Sequence, residues 1–255
     1  MSAYGLPVDS DMAFTLYGYE VRDSPFAYQW HENRNPRSRV VRIVAAAEGI
    51  ELNHYEVIPR LDVNKAAYKA RFPLSRGKIP GLEGPNIKLT ETLAIVTYLA
   101  KFHNRSKLLG DGSLEEEAKI LSWASWANQE FLQTAAQWFL PLIPSFTDRP
   151  PYNYDAVAAG KKATLEIVEF LDTLLATRRY IVIDHLTVAD IMIVIYLSRL
   201  FEWVLDRQWR EQHPSLMRYF ETVARHDAVK KVIPRQQFIL IDVETPNEDP
   251  GLKSN

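Results

Sequence analysis

Pro80 constrains this chain more than any other residue. It sits in Gly77-Lys78-Ile79-Pro80-Gly81-Leu82, where a short apolar run begins at a proline. Proline has no N–H to give to a sheet ladder, so it is confined to strand starts, sheet edges and turns. An X–Pro bond also adopts the cis form at modest cost, typically in a tight turn. The run therefore reads as a strand that starts at Pro80 or follows a tight turn there. Beyond it, Lys88-Leu89-Thr90 leads into Glu91 and Thr92, an acid and a hydroxyl that open a helical pattern.

A helix start offers free backbone N–H groups and a partial positive charge, which suit a carboxylate. The neighbouring acid suits an ammonium. A ligand with both groups and an extended backbone to pair with Ile79 is a small peptide such as glutathione. A turn proline followed by an ordinary helix cap is the alternative reading of the same residues.

The chain has 255 residues, 47% of them apolar, which suits one large domain or two small ones. A formal net charge of −2 argues against a general nucleic-acid surface. There is no cysteine, so disulfides, thiolate metal sites and a cysteine nucleophile are excluded. Any thiol chemistry must use a thiol carried by a ligand. The six histidines show no metal-ligand spacing, and no metal is expected. Met1 to Met12 lacks the basic-then-apolar order of a secretory signal. The most apolar stretch, Ile181 to Leu205, is interrupted by Asp184, His185, Asp190, Arg199 and Glu202, so it reads as a buried helix rather than a membrane span. A soluble cytoplasmic protein is the expectation.

Along the chain, Phe14–Tyr19 and Asn53–Ile58 read as strands. Val40–Glu48 reads as a helix stopped by Gly49, with Asn35-Pro36 as its polar cap and first helical proline. Val63–Phe72 reads as a second helix. Ile79–Leu82 and Asn86–Leu89 read as a hairpin around Glu83-Gly84-Pro85, followed by a helix over Glu91–His103. After the polar stretch Asn104–Ser113, helices are predicted over Leu114–Phe139, Tyr154–Thr177, Thr187–Trp203 and Pro214–Arg225. Phe238–Val243 is a strand candidate, and Thr245–Asn255 a frayed polar tail. Thr187 and Asp190 make a capping-box pattern with Leu186 and Ile191 placed as its staple. The βαβ–ββα order followed by helices predicts a small α/β domain and an all-α one.

Taken together, these residues resemble the glutathione transferase family. The resemblance implies a thioredoxin-like N-terminal domain over 14–104 that binds glutathione, and an all-α C-terminal domain over 113–240 for the acceptor substrate. It implies a cis proline at Pro80, ammonium and carboxylate binding at Glu91 and Thr92, backbone pairing at Ile79, and a structural cap at Thr187 and Asp190. Lys78 is placed for the glycyl carboxylate, with a solvated surface lysine as the alternative. The family also implies a homodimer.

Within the family, the chain is similar to the transferase-like domain of the elongation-factor gamma subunit. The stretches that carry this are Phe72-Pro73-Leu74, Gly84-Pro85, Lys88-Leu89-Thr90-Glu91, Pro151-Tyr152-Asn153 and Glu211-Gln212-His213-Pro214. That subunit continues through a lysine-rich linker into another large domain, whereas this sequence stops at Asn255. Stand-alone relatives in fungal biosynthetic pathways are the better comparison.

The family usually places Tyr, Ser or Cys after the first strand to hold the thiolate. Here the family's Ser-Pro helix start lines up with Asn35-Pro36, which makes Asn35 the catalytic candidate through its amide N–H. Such a donor lowers a thiol pKa but cannot take a proton. Ser24-Pro25 is the rival pairing. The segment Glu20–Arg34, with Phe26, Tyr28 and Trp30, reads either as a wall for an apolar acceptor or as a surface loop packing on its own domain. Arg34, Arg37, Arg39 and Arg42 form a basic cluster, at least half of it expected on a solvated helix face. Trp123, Trp126, Phe131 and Trp138 read as helical core or pocket lining.

Three functions fit: a glutathione-dependent enzyme acting on an electrophilic small molecule, a non-catalytic interaction module, and a glutathione-binding protein without turnover. The intact Glu91-Thr92 pair favours the enzyme.

Overall fold

In the computed structural model, residues 13–18, 35–57, 62–103, 106–144 and 151–253 are described. Ser24, Arg34 and the rest of the segment between the first strand and first helix lie outside them.

Four strands form one mixed sheet in the order β2-β1-β3-β4. Strand β1 (Phe14–Gly18) runs parallel to β2 (Leu52–Glu56), with helix α1 (Pro36–Ala47) between them in sequence. After α2 (Ala66–Arg71) the chain returns as β3 (Gly81–Gly84), antiparallel to β1 and to β4 (Ile87–Thr90). Helix α3 (Thr92–Phe102) follows directly. Period-two alternation divides β1 between two cores. Phe14 and Leu16 face α1 and α3, where Val40, Val41, Val44, Ile95, Val96 and Leu99 are buried. Tyr17 faces the other way, against Val57, Val63, Tyr68 and Phe72.

The hairpin is shifted from its predicted place. Strand β3 begins at Gly81, whose partner is Tyr17, and Ile79 and Pro80 precede it. The Ile79–Pro80 bond is cis. The turn falls on Pro85-Asn86 rather than on Glu83-Gly84-Pro85, because Gly84 pairs with Ile87. Gly81 and Gly84 are packed against ring atoms: a Cβ on Gly81 would come within 2.9 Å of Phe72, and one on Gly84 within 2.6 Å of Phe14.

The second half is helical. Helix α4 (Leu114–Trp126) passes through a π turn (Ala127–Phe131) into α5 (Leu132–Phe139). Next come α6 (Tyr154–Leu175), α7 (Val188–Trp203), α8 (Arg207–Gln212), α9 (Pro214–Ala224) and α10 (Asp227–Lys230). Helix α7 is the axis of the molecule, buried from Val188 to Glu202. It starts at the expected capping box, in which Asp190 accepts from the Thr187 N–H at 2.9 Å and the Thr187 hydroxyl at 2.7 Å. The same carboxylate accepts from Ile181 N–H at 2.8 Å and Tyr219 OH at 3.0 Å. Among the described residues no helix is long and apolar enough to cross a membrane.

Phe238–Val243 is not a strand. The backbone here and just beyond it caps the end of α7 instead: Ile241 N–H donates to Phe201 O at 3.0 Å, and Thr245 N–H to Trp203 O at 3.2 Å. The last carbonyls of a helix lack intrahelical donors, and this segment supplies them. Beyond it the chain is held at Glu244 and Asn247 rather than frayed there. Lys161 pairs with Glu244 at 2.5 Å, and Tyr152 OH donates to Asn247 at 2.7 Å.

The two halves share one core. Helices α1 and α7 pack together, as do α3 and α4. Val188 N–H donates to Leu108 O at 3.0 Å, and Lys101 pairs with Glu117 at 2.5 Å.

Candidate functional site

A cleft of about 450 Å³ opens where the N-terminal ends of α1 and α3 meet the π turn. Asn35, Lys78, Ile79, Pro80, Glu91 and Thr92 all line it. These are six of the seven residues singled out in the sequence; the seventh, Ser24, lies outside the described residues.

Each is placed by a local device. Asn35 caps α1: its Oδ1 accepts from Ser38 N–H at 2.9 Å, and its own backbone is extended as a cap requires. That bond commits the amide oxygen, while Nδ2 has no acceptor among the described residues, and Asn35 lines the cleft. Pro36 at the first helical position fixes the start of α1. Lys78 and Ile79 lie in the turn before β3, anchored by Tyr68 OH, which donates to Lys78 O at 2.9 Å. Burial pushes that Tyr68 hydroxyl up to about 12, so it stays a donor. No hydrogen bond joins the Ile79 N–H or carbonyl to another described residue. The side chains of Lys78 and Glu91 are exposed and form no ion pair among the described residues.

Glu91 and Thr92 carry the clearest marks of a binding role. Glu91 holds φ at +67°, a left-handed conformation that an L side chain adopts at a cost of about 1–3 kcal/mol. Thr92, the first residue of α3, is 2% exposed, and its Oγ1 has no hydrogen-bond partner. A buried hydroxyl without a partner is unfavourable by about 1–3 kcal/mol. Beside it are the unpaired N–H groups of the first turn of α3. The arrangement fits a ligand carboxylate at Thr92 and a ligand ammonium at Glu91, with an extended backbone along Ile79. Glutathione has all three.

The cleft also contains residues the sequence did not single out as site residues. Asn64, Ser75 and Gly77 line it beside Lys78, and Asn128, Gln129 and Gln133 face it from the helical half. No local signal marks Asn128, which reaches the cleft through the π turn. The described part of the basic cluster, Arg37, Arg39 and Arg42, does not form a solvated helix face. Arg37 lines the cleft, Arg39 is 4% exposed, and Arg42 is half-buried, its guanidinium pKa lowered by desolvation.

Tyr17 of β1 faces away from α1 and α3. Its hydroxyl donates to Glu83 at 2.9 Å and accepts from Arg71 at 2.6 Å. Of the four core aromatics, Phe131 and Trp138 are buried, and Trp123 and Trp126 are partly so; none lines this cleft. No group of described residues could hold a metal ion.

Residues 26–101 match the glutathione S-transferase N-terminal domain, and residues 133–227 match the C-terminal domain. The chain is 31% identical to glutathione S-transferase AN1595 of Emericella nidulans, over 85% of this chain and 78% of the relative. It is 30% identical to glutathione S-transferase stcT of the same organism, over 89% of this chain and 99% of the relative. Among solved structures, the GST-like domain of elongation factor 1-gamma from Saccharomyces cerevisiae superposes with a TM-score of 0.70 at 26% identity, covering 91% of this chain and 97% of that one.

Proposed function

Because the chain belongs to the glutathione S-transferase family, we propose that it is a glutathione-dependent transferase or isomerase for an electrophilic small molecule of secondary metabolism, of the kind found in the fungal pseurotin pathway. One observation carries the reading: the buried, unpartnered Thr92 hydroxyl stands next to a Glu91 held at positive φ, on one cleft with Asn35. In this reading residues 14–104 bind glutathione and residues 113–240 form the acceptor side.

Glu91 pairs with the γ-glutamyl ammonium. Thr92 and the first N–H groups of α3 take the adjacent carboxylate, with charge-assisted bonds worth about 1.5–3 kcal/mol each. Ile79, beside Pro80, offers its backbone to the cysteinyl unit, and Lys78 meets the glycyl carboxylate. Asn35 donates through Nδ2 to the sulfur and stabilises the thiolate. The positive end of α1 adds to this. The protein acts in the cytoplasm as a two-fold homodimer, so light scattering should give about twice the 29.4 kDa subunit mass.

Asn35→Ala should raise the pKa of the bound thiol, so thiolate absorbance emerges at higher pH than in the wild type. Unchanged titration in Asn35→Ala together with a shift in Ser24→Ala would transfer the role to Ser24.

An amide at the sulfur cannot remove a proton, and this suits reversible addition to an activated double bond, bond rotation and release: a trans/cis isomerisation. Conjugation needs the same stabilised thiolate. The deciding experiment incubates the protein with a conjugated enone or polyene and a trace of glutathione. Turnover far beyond the glutathione supplied, at constant substrate mass, identifies isomerisation. One glutathione consumed per product identifies conjugation. No turnover of any electrophile, with capture of a translation-factor partner, would favour the interaction-module reading that the elongation-factor likeness supports.

A further inference from the structure

Arg37 goes against the local electrostatics of its helix. It occupies the first turn of α1, which contains no acidic residue. A helix start carries partial positive charge, so a cation there is locally unfavourable. The half-buried guanidinium lines the cleft, and its partners are neutral. Nε donates to Asn128 Oδ1 at 2.8 Å, and Nη2 donates to the Asn128 carbonyl at 3.5 Å. No carboxylate among the described residues neutralises it.

The strut behind Arg37 is rigid. Asn128 is 5% exposed and lies in the π turn between α4 and α5. Tyr196, fully buried in α7, donates its hydroxyl to the same Oδ1 at 3.2 Å. Burial pushes the Tyr196 pKa far up, so the hydroxyl keeps its proton. Asn128 thus ties up Nε and one side of Nη2. Among the described residues, the Nη1 side of the guanidinium is left with hydrogens to give and a full charge without a counter-ion.

We propose that Arg37 is a catalytic residue that selects acceptors bearing a carbonyl conjugated to a double bond, and holds the negative charge that forms on the carbonyl oxygen. The inference rests on the transferase reading. In that reading the charged groups of glutathione already have partners in Glu91, Thr92 and Lys78. Arg37 bridges instead from α1 to the helical wall of Asn128, Gln129 and Gln133, which in that reading belongs to the acceptor side. A planar guanidinium edge matches an oxyanion closely. Formation of the carbon–sulfur bond at the β-carbon moves the π pair of the double bond toward the carbonyl and places a lone pair and negative charge on its oxygen, opposite Arg37. The thiol proton has already left to solvent. The charge then resolves by protonation at the α-carbon from water, which gives the thioether, or by re-expulsion of the thiolate, which gives the isomerised alkene.

The test compares wild type, Arg37→Gln and Arg37→Lys on two acceptors, a conjugated enone and benzyl chloride, which has no oxygen to hold. Glutathione affinity by calorimetry and the pH titration of bound thiolate absorbance are measured on the same samples. Arg37→Gln should lose about 10²-fold in kcat/KM on the enone, the scale of one oxyanion donor. Its loss on the halide should be at least tenfold smaller, with glutathione affinity and thiol pKa held, and Arg37→Lys should recover part of the enone activity. If Arg37→Gln fails to fold, Asn128→Asp, which sets a carboxylate against the guanidinium, should reproduce the selective loss. Equal loss on both acceptors, a raised thiol pKa or weakened glutathione binding would overturn the proposal and assign Arg37 to the glutathione site. No loss on the enone would also overturn it. A wild type that binds no glutathione would overturn the transferase reading itself.

Discussion

Asp190→Ala is expected to lower the unfolding free energy by about 3–5 kcal/mol, because several buried donors lose their acceptor at about 1–3 kcal/mol each. The carboxylate is completely buried and accepts from four donors: Ile181 N–H, Thr187 N–H, Thr187 OH and Tyr219 OH. Removing it orphans all four in a space water does not reach. The effect is also distributed, because the donors come from the loop before α7, its cap and α9. Burial raises the Asp190 pKa while the four donors lower it, burial being the larger. Asp190→Asn keeps the shape and part of the acceptor capacity, so its loss should be smaller. Denaturant unfolding of the three proteins measures this; a loss below about 1 kcal/mol in Asp190→Ala would mean that the cap is dispensable.

The second large effect concerns binding. Glu91→Ala and Thr92→Ala should each weaken glutathione binding about tenfold or more, the scale of one charge-assisted hydrogen bond. Glu91→Gly separates strain from function. Glycine tolerates φ +67°, so this variant should gain about 1 kcal/mol in stability while losing affinity like the alanine variant. Calorimetry and denaturant unfolding on the same samples read both quantities. Affinities unchanged in both alanine variants would remove this pair from the site.

Much of this was legible in the sequence because it rests on local chemistry. Pro80, the Asn35-Pro36 start of α1 and the Thr187–Asp190 box each follow from what one residue type can or cannot do with its own backbone. The burial of α7 follows from its apolar length. Ile79, Glu91 and Thr92 were singled out by their local chemistry, and together with Lys78 and Pro80 they line one cleft.

What was missed depends on partners distant in sequence. Phe238–Val243 has strand composition, but the open carbonyls at the end of α7 take the Ile241 N–H. The start of β3 moved to Gly81 because pairing with β1 sets it. Asn128 lies 91 positions from Arg37, so neither residue announces the other. Arg37 did leave a local trace, a cation in a first turn without acids, which composition-level reading treated as part of a surface cluster.

The π turn has a consequence for how this gene can change. One extra residue in a helical turn rotates everything downstream by about 100°. The helix from Leu114 to Phe139 is therefore intolerant of length change in a way that a loop is not. Loss of a single codon between Ala127 and Phe131 would restore a straight helix. It would then either swing Asn128 off the cleft or turn Leu132, Ala135 and Phe139 away from the core they fill. Natural length variation should collect in the connections on either side of this helix. A relative that lacks this one residue should align with a one-position gap here and lack the Asn128 support for its arginine.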